Sequence, residues 1–349
     1  MSSLSLIRQA NSSFRPRFTP VAVFVGGTNG IGRGMAEAFG RHTQGKSNIV
    51  ILGRNKDAAD ELFSSLPSPT DKIYNRDFIH CDATRMKNVE TATKEILARY
   101  SRVNFLVLSP GTVTMRGRDE TEEGLDTKLA LHYYARWKFI QGLLPALNKA
   151  SEEGESAKVF SVFSPGNGSE IDLNDLGLKT TFSAIRAGLQ MPTYNDLMME
   201  AFYDFNPAVT FIHGYPGFVR TSLFTKKSNS TLLNLAQPFM NTLLRPILTS
   251  PEDASEYMWH AIFNSTGNVF RTGSRGENLG KKRYFGSEEA KKKLWEHTVE
   301  ATTIRGSGWW ANWTTKIVTL DRSESGGHYW IEMYCFVRYR IIYSSIVYL

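Results

Sequence analysis

The feature that most restricts this chain is an alternation. Six short apolar runs, rich in β-branched residues, fall at 21–25, 48–52, 77–81, 103–108, 159–163 and 209–213. Longer stretches with apolar residues at helical spacing separate them, at 31–39, 58–66, 87–100, 125–147 and 183–205. Strands that are apolar almost throughout must be covered on both faces. Strand–helix alternation makes successive strands parallel. The pattern predicts an α/β protein with a doubly wound parallel sheet as its principal domain, over residues 20–303.

Outside the alternation the chain is less regular. Residues 1–19 carry Arg8, Arg15 and Arg17 among several serines and no acid. That is also the composition of a mitochondrial transit segment; the expectation is a helix and arm packed on the domain of a cytoplasmic protein. After Pro216 an apolar, Leu-rich insert occupies 223–248, and Ser250-Pro-Glu-Asp opens a helix at 251–263. Residues 272–281 read as a polar loop, and 288–303 as a charged helix. A tail at 304–349 holds Trp309, Trp310, Trp313, Tyr329 and Trp330 with no sustained period.

Composition narrows the classes of function. A net charge of +7 from scattered Lys and Arg residues forms no basic block, which argues against a nucleic-acid partner. Cys81 and Cys335 lie far apart, which excludes a disulfide framework and a cysteine metal site; no metal is expected. No run approaches the ~20 apolar residues that a membrane-spanning helix needs.

The most specific stretch is Val25-Gly26-Gly27-Thr28-Asn29-Gly30-Ile31-Gly32, between a predicted strand and helix. Gly26 lets the chain turn off the strand, Gly30 lets the backbone approach a pyrophosphate, and Gly32 lets the helix lie close to the sheet. The new helix offers free amides and its positive end to phosphates. Thr28 and Asn29 line the same turn.

With these residues in place, the chain resembles the short-chain dehydrogenase/reductase superfamily and its Rossmann-type fold. Its glycine motif matches Gly26-x3-Gly30-Ile31-Gly32, with Val25 where a Thr is common. Cys81-Asp82-Ala83-Thr84 is similar to the family's Asp element beside the adenine, and Leu108-Ser109-Pro110-Gly111 to its Asn-Asn-Ala-Gly element. Pro216-Gly217-Phe218-Val219-Arg220-Thr221 is similar to its Pro-Gly turn, with Thr221 at the nicotinamide carboxamide. The resemblance covers about residues 18–265. It implies binding of a nicotinamide dinucleotide, a small-molecule substrate, and pairing through the two long helices as a homodimer.

The second strand ends in Gly53-Arg54-Asn55 with no acid. An acid there would accept from a ribose 2′-hydroxyl and repel a 2′-phosphate, whereas Arg54 can bind that phosphate by charge-assisted hydrogen bonds. Arg33 could assist. NADP(H) is therefore expected over NAD(H).

The resemblance frays where the chemistry belongs. The family uses a Tyr as proton donor, a Lys four residues on, a Ser that positions the carbonyl and an Asn in a proton relay. Ser164 fits the Ser position, and His132 falls at the Asn. Aligned back from Pro216, Phe182 falls at the Tyr and Arg186 at the Lys. An alternative, Tyr194-x3-Met198, supplies the phenol but no cation, and leaves a short span before Pro216. The departure resembles a fungal branch of the superfamily whose relatives often serve secondary metabolism. The expectation is an oxidoreductase that interconverts a carbonyl and an alcohol on a small apolar metabolite. A cofactor-binding protein without catalysis is the alternative.

Overall fold

The computed structural model describes residues 3–71, 73–220 and 248–304. In chain order the elements are α1 (Leu4–Ser12), β1 (Val21–Val25), α2 (Gly30–His42), β2 (Asn48–Gly53), α3 (Lys56–Ser65), β3 (Arg76–His80), α4 (Met86–Arg99) and β4 (Phe105–Leu108). Then come α5 (Thr127–Leu129), a π-helical turn (Ala130–Tyr134), α6 (Ala135–Glu152), β5 (Lys158–Val162), α7 (Ala184–Phe205) and β6 (Thr210–Gly214). The series ends with α8 (Pro251–Asn264), β7 (Val269–Thr272) and α9 (Glu288–Ala301).

The strands form one sheet in the order β3-β2-β1-β4-β5-β6-β7, all parallel, with Val23 opposite Val50 on one side and Leu106 on the other. This is the doubly wound Rossmann-type architecture. Strands β1, β4, β5 and β6 are buried along their whole length; β1 and β4 are apolar throughout, while β5 and β6 also bury Lys158, Ser161, Thr210 and His213. On one face Phe24, Met35, Phe39, Phe105 and Trp259 pack together. Trp259 Nε1 donates to Met35 O at 2.8 Å, pinning α8 to α2. On the other face Trp137 of α6 meets Phe202 of α7 and Trp295 of α9.

The order reverses between β1 and β4, so the crevice past the carboxyl ends of these strands is where a ligand of such a sheet binds. The predicted insert at 223–248 lies outside the described residues apart from Leu248, and the tail at 304–349 apart from Ile304. The N-terminal residues form α1, which buries Ile7 and Asn11. Asn11 Nδ2 donates to Glu256 Oε2 of α8 at 2.8 Å.

Two elements depart from the sequence reading. The seventh strand, β7, was not foreseen; it is four residues long and carries Arg271, whose charge disguises it. Nor was the π-helical turn foreseen. It interrupts the predicted helix at 125–147, and it holds His132.

Candidate active site

The chain leaves β1 at Gly26, whose φ of 82° suits glycine, and whose amide donates to Leu52 O at 2.9 Å. A Cβ on Gly32 would lie 2.2 Å from Ser109 Oγ and 2.5 Å from Gly26 O. Only hydrogen at that position lets α2 start so close to the end of β1. Ser109 Oγ donates to Val25 O at 2.9 Å, tying β4 to the same turn, and Thr28 packs over Gly53 at the end of β2. Asn29 caps α2, its Oδ1 accepting from Gly30 N at 2.6 Å, while Ile31 packs against the core. The first turn of α2 holds no acid, so its amides and dipole are available to an anion.

The other predicted cofactor residues surround this turn. Arg54 is exposed beyond β2, with no ion pair among the described residues. Arg33 is committed elsewhere, 2.9 Å from Glu37 and 3.5 Å from Glu61. Asn55 caps α3, its Oδ1 accepting from Ala58 N at 3.1 Å. Asp82 lies beyond β3 beside the buried Ala83. Burial alone would raise its pKa, but Thr84 N and Oγ1 donate to it, and with Arg54 and Arg85 they hold it below the usual carboxylate range. Pro216 is buried, Gly217 turns at φ 77°, and the buried Val219 pairs with Thr249. Thr221 lies outside the described residues. A glycine cradle that a Cβ would fill, a helix start without acid and an unpaired arginine beyond β2 fit a nicotinamide dinucleotide.

Ser164 is half-buried just beyond β5. Its amide donates to His213 Nε2 at 3.2 Å, and His213 Nδ1 meets Asp196 Oδ1 at 2.6 Å. Arg271 Nε lies 3.0 Å from the same carboxylate oxygen. An Nε2 that accepts and an Nδ1 that donates define a neutral imidazole, and burial lowers the His213 pKa against the pull of Asp196. One buried network thus joins β5, β6, β7 and α7 at the backbone of Ser164.

His132 Nε2 accepts from Thr112 N at 2.9 Å, with Gly111 packed against the ring. Its Nδ1 is buried without a hydrogen-bond partner in the described structure. Burial first, then the charges of Arg136 and Lys128, push its pKa down to about 3. The ring is neutral near pH 7, and its Nδ1–H is an unused donor. His132 O accepts from Asn195 Nδ2 at 2.9 Å, and Asn195 Oδ1 accepts from Ser161 Oγ at 2.9 Å.

Lys128, His132 and Arg136 recur every fourth residue, a spacing that gathers them along one side of a helix. Arg136 is fully buried, yet among the described residues no carboxylate pairs with it. NH1 donates to Ser161 Oγ at 2.6 Å and Val162 O at 2.7 Å, and NH2 to Pro110 O at 2.7 Å. Burial lowers its pKa to about 9. Lys128 is 4% exposed; Nζ donates to Gly117 O at 3.0 Å and lies 4.8 Å from the centre of the Phe182 ring.

A model of the short-chain dehydrogenase family matches residues 20–231, more than half of the chain. The chain belongs to the short-chain dehydrogenase family. It is 37% identical over 246 residues to an oxidoreductase of Emericella nidulans, covering 69% of this chain and 72% of that protein. It is 33% identical over 248 residues to the oxidoreductase andH of Emericella variicolor, covering 70% and 72%. A short-chain dehydrogenase structure from Streptomyces avermitilis shares the fold, with a TM-score of 0.52 at 20% identity over 81% of this chain and 93% of that one. The family is one of oxidoreductases that bind NAD(P), in keeping with the cradle described above.

Phe182 and Arg186, which the sequence alignment sets at the family's Tyr and Lys, lie in this short-chain dehydrogenase just before α7 and in its first turn. Arg186 is half exposed and lies 3.7 Å from Asp172. Tyr194 is fully buried; its hydroxyl donates to Leu176 O at 3.0 Å, and burial raises its pKa. Its ring packs edge-on against Tyr133, 5.1 Å away. Sequence reasoning passed over Lys128, Arg136, Asp196 and His213. The spacing of Lys128, His132 and Arg136 was a readable signal for the first two. His213 and Asp196 meet only across α7 and β6, and had none. Among the described residues no helix is long and apolar enough to cross a membrane, and no cluster of potential metal ligands occurs.

Proposed function

We propose that this protein is an NADP(H)-dependent oxidoreductase that interconverts a carbonyl and an alcohol on an apolar metabolite. The observation that carries the reading is Ser164, whose backbone is held by His213 and Asp196 beyond β5. Its hydroxyl has no partner among the described residues, which leaves it to orient a carbonyl. When bound, the dinucleotide supplies the hydride. The glycine turn and the start of α2 would hold its pyrophosphate, and Asp82 and Ala83 would border the adenine. Ser109 and Gly111 beyond β4, Pro216, Gly217, Val219 and Thr221 beyond β6, and Arg186 at the nicotinamide ribose are proposed for the same cofactor. The unpaired Arg54 supports NADP(H) over NAD(H). Exposed Val113, Met115 and Phe218, in segments following β4 and β6, support an apolar substrate.

A second reading, cofactor binding without catalysis, draws on Phe182 and on the committed hydroxyl of Tyr194. NADPH fluorescence titration followed by a panel of aliphatic and aromatic carbonyls, read by NADPH absorbance, separates the two. Turnover is expected, with Ser164→Ala lowering kcat about 100-fold or more. Binding without turnover on the whole panel would favour the second reading. Arg54→Asp should weaken NADPH about tenfold or more relative to NADH, because it exchanges a phosphate partner for a repelling charge. An unaltered ratio removes the 2′-phosphate role.

A further inference from the structure

The family's proton donor has no counterpart at Phe182, and Arg186 is drawn to the half-buried carboxylate of Asp172. A buried cation lies over the Phe182 ring instead. Lys128 Nζ has three N–H groups, yet among the described residues it has a single acceptor, Gly117 O at 3.0 Å, and no ion pair. Desolvating an ammonium costs several kcal/mol unless it is paired and hydrogen-bonded (about that much per ion), and one carbonyl with one ring face returns only part of this. Lys128 lies one helical turn before His132, close enough for its charge to depress that ring's ionisation. Through Gly117 it borders the segment after β4, and through Phe182 the segment before α7. Both segments leave the carboxyl edge of the sheet, after β4 and after β5, the side on which the carbonyl of the proposed reaction would sit.

We propose that Lys128 is a catalytic residue that donates the proton to the substrate oxygen, in place of the absent phenol. The assignment rests on the oxidoreductase reading. In the reducing direction a hydride, given up with its electron pair from a C–H bond of a reduced nicotinamide, would form the new C–H bond, and the carbonyl π pair would move onto oxygen. One N–H bond of Lys128 breaks, and its proton forms the O–H bond of the alcohol. The neutral amine then regains a proton from water. An ammonium in place of a phenol changes the charge of the donor's two forms, from neutral and anionic to cationic and neutral. The ammonium also stabilises the developing alkoxide through a low-dielectric gap.

The test compares wild type, Lys128→Met and Lys128→Arg by three measurements. Decanal reduction with NADPH should fall about 100-fold or more in both variants, because guanidinium keeps its proton. Calorimetric binding of decanoate without cofactor, whose carboxylate imitates a charged substrate oxygen, should weaken at least tenfold in Lys128→Met and largely recover in Lys128→Arg. The melting temperature of Lys128→Met should equal or exceed that of wild type, since an incompletely paired buried cation is a load on the fold. The assignment is overturned if decanoate binds wild type and Lys128→Met alike, if it binds neither, if either variant reduces decanal at the wild-type rate, or if Lys128→Met melts several degrees lower. A wild-type protein that binds NADPH and reduces no carbonyl overturns the oxidoreductase reading and this assignment together. Turnover that survives Lys128→Met overturns this assignment alone.

Discussion

Lys158 and Lys128 are both buried lysines without a carboxylate partner among the described residues, and they differ in how fully they are satisfied. At the amino end of β5, Lys158 Nζ donates to Ile262 O at 2.7 Å, Ser265 O at 2.6 Å and Phe263 O at 3.3 Å. These carbonyls close α8, where the helix dipole is negative, so the cation serves as a buried cap. Every donor is spent. On the segments that follow the sheet's carboxyl edge, Lys128 has one acceptor and His132 Nδ1 has none. Arg136 donates to five oxygens, Leu108 O, Pro110 O, Leu131 O, Val162 O and Ser161 Oγ. Closed networks carry the fold; the open donors of Lys128 and His132 are the ones to which the proposal above gives a role.

Three measurements sharpen or break this contrast. The largest effect is expected at Lys158. Lys158→Met should cost about 3 kcal/mol of stability, because it strands carbonyls at a buried helix end. Urea unfolding followed by circular dichroism measures it. A midpoint equal to wild type would mean that saturation does not separate the two lysines.

The next effect belongs to His132. Its folded pKa, about 3, lies below the ~6.5 of an unfolded histidine. Between these values the unfolded chain binds more protons, so stability falls as the pH drops from 6.5 toward 3. His213 and Glu256, whose pKa values are also lowered, act in the same direction. His132→Asn should flatten the stability–pH curve in this window by up to about 1.4 kcal/mol per pH unit, the limit for one proton. An unchanged slope, from melts between pH 4 and 6.5, would show that the ring is not held neutral.

The smallest effect is expected at Tyr194, whose hydroxyl has its partner within the fold. Tyr194→Phe should cost about 1 kcal/mol and leave kcat unaltered. A kcat reduced tenfold or more would return Tyr194 to the chemistry and weaken the role given to Lys128.

The sheet was legible because its warrant is local. A run such as Val21–Val25 has no other way to bury both its faces, and the glycine turn after it is constrained by backbone geometry alone. The six foreseen strands occur within two residues of their expected bounds. β7 was illegible because Arg271, beside Asp196, looks like a surface residue until that carboxylate is beside it. The site divided in the same way. Asn29, which caps α2, and Arg54, which follows β2, have positions set by sequence neighbours. Phe182, Arg186 and Tyr194 could only be aligned, and their surroundings come from the packing of α7.

By itself the sequence determined the order of strands and helices, the parallel sheet, and the turn that fits a dinucleotide. Each follows from hydrophobic period or from backbone freedom within a few residues. Only the tertiary structure decided which polar groups are satisfied. It closed Lys158 on the end of α8, set His213 between Asp196 and the Ser164 amide, and left Lys128 over Phe182 with donors to spare. Hydrogen bonding is a matter of separations of about 3 Å between groups distant in the chain, and no local pattern encodes those separations.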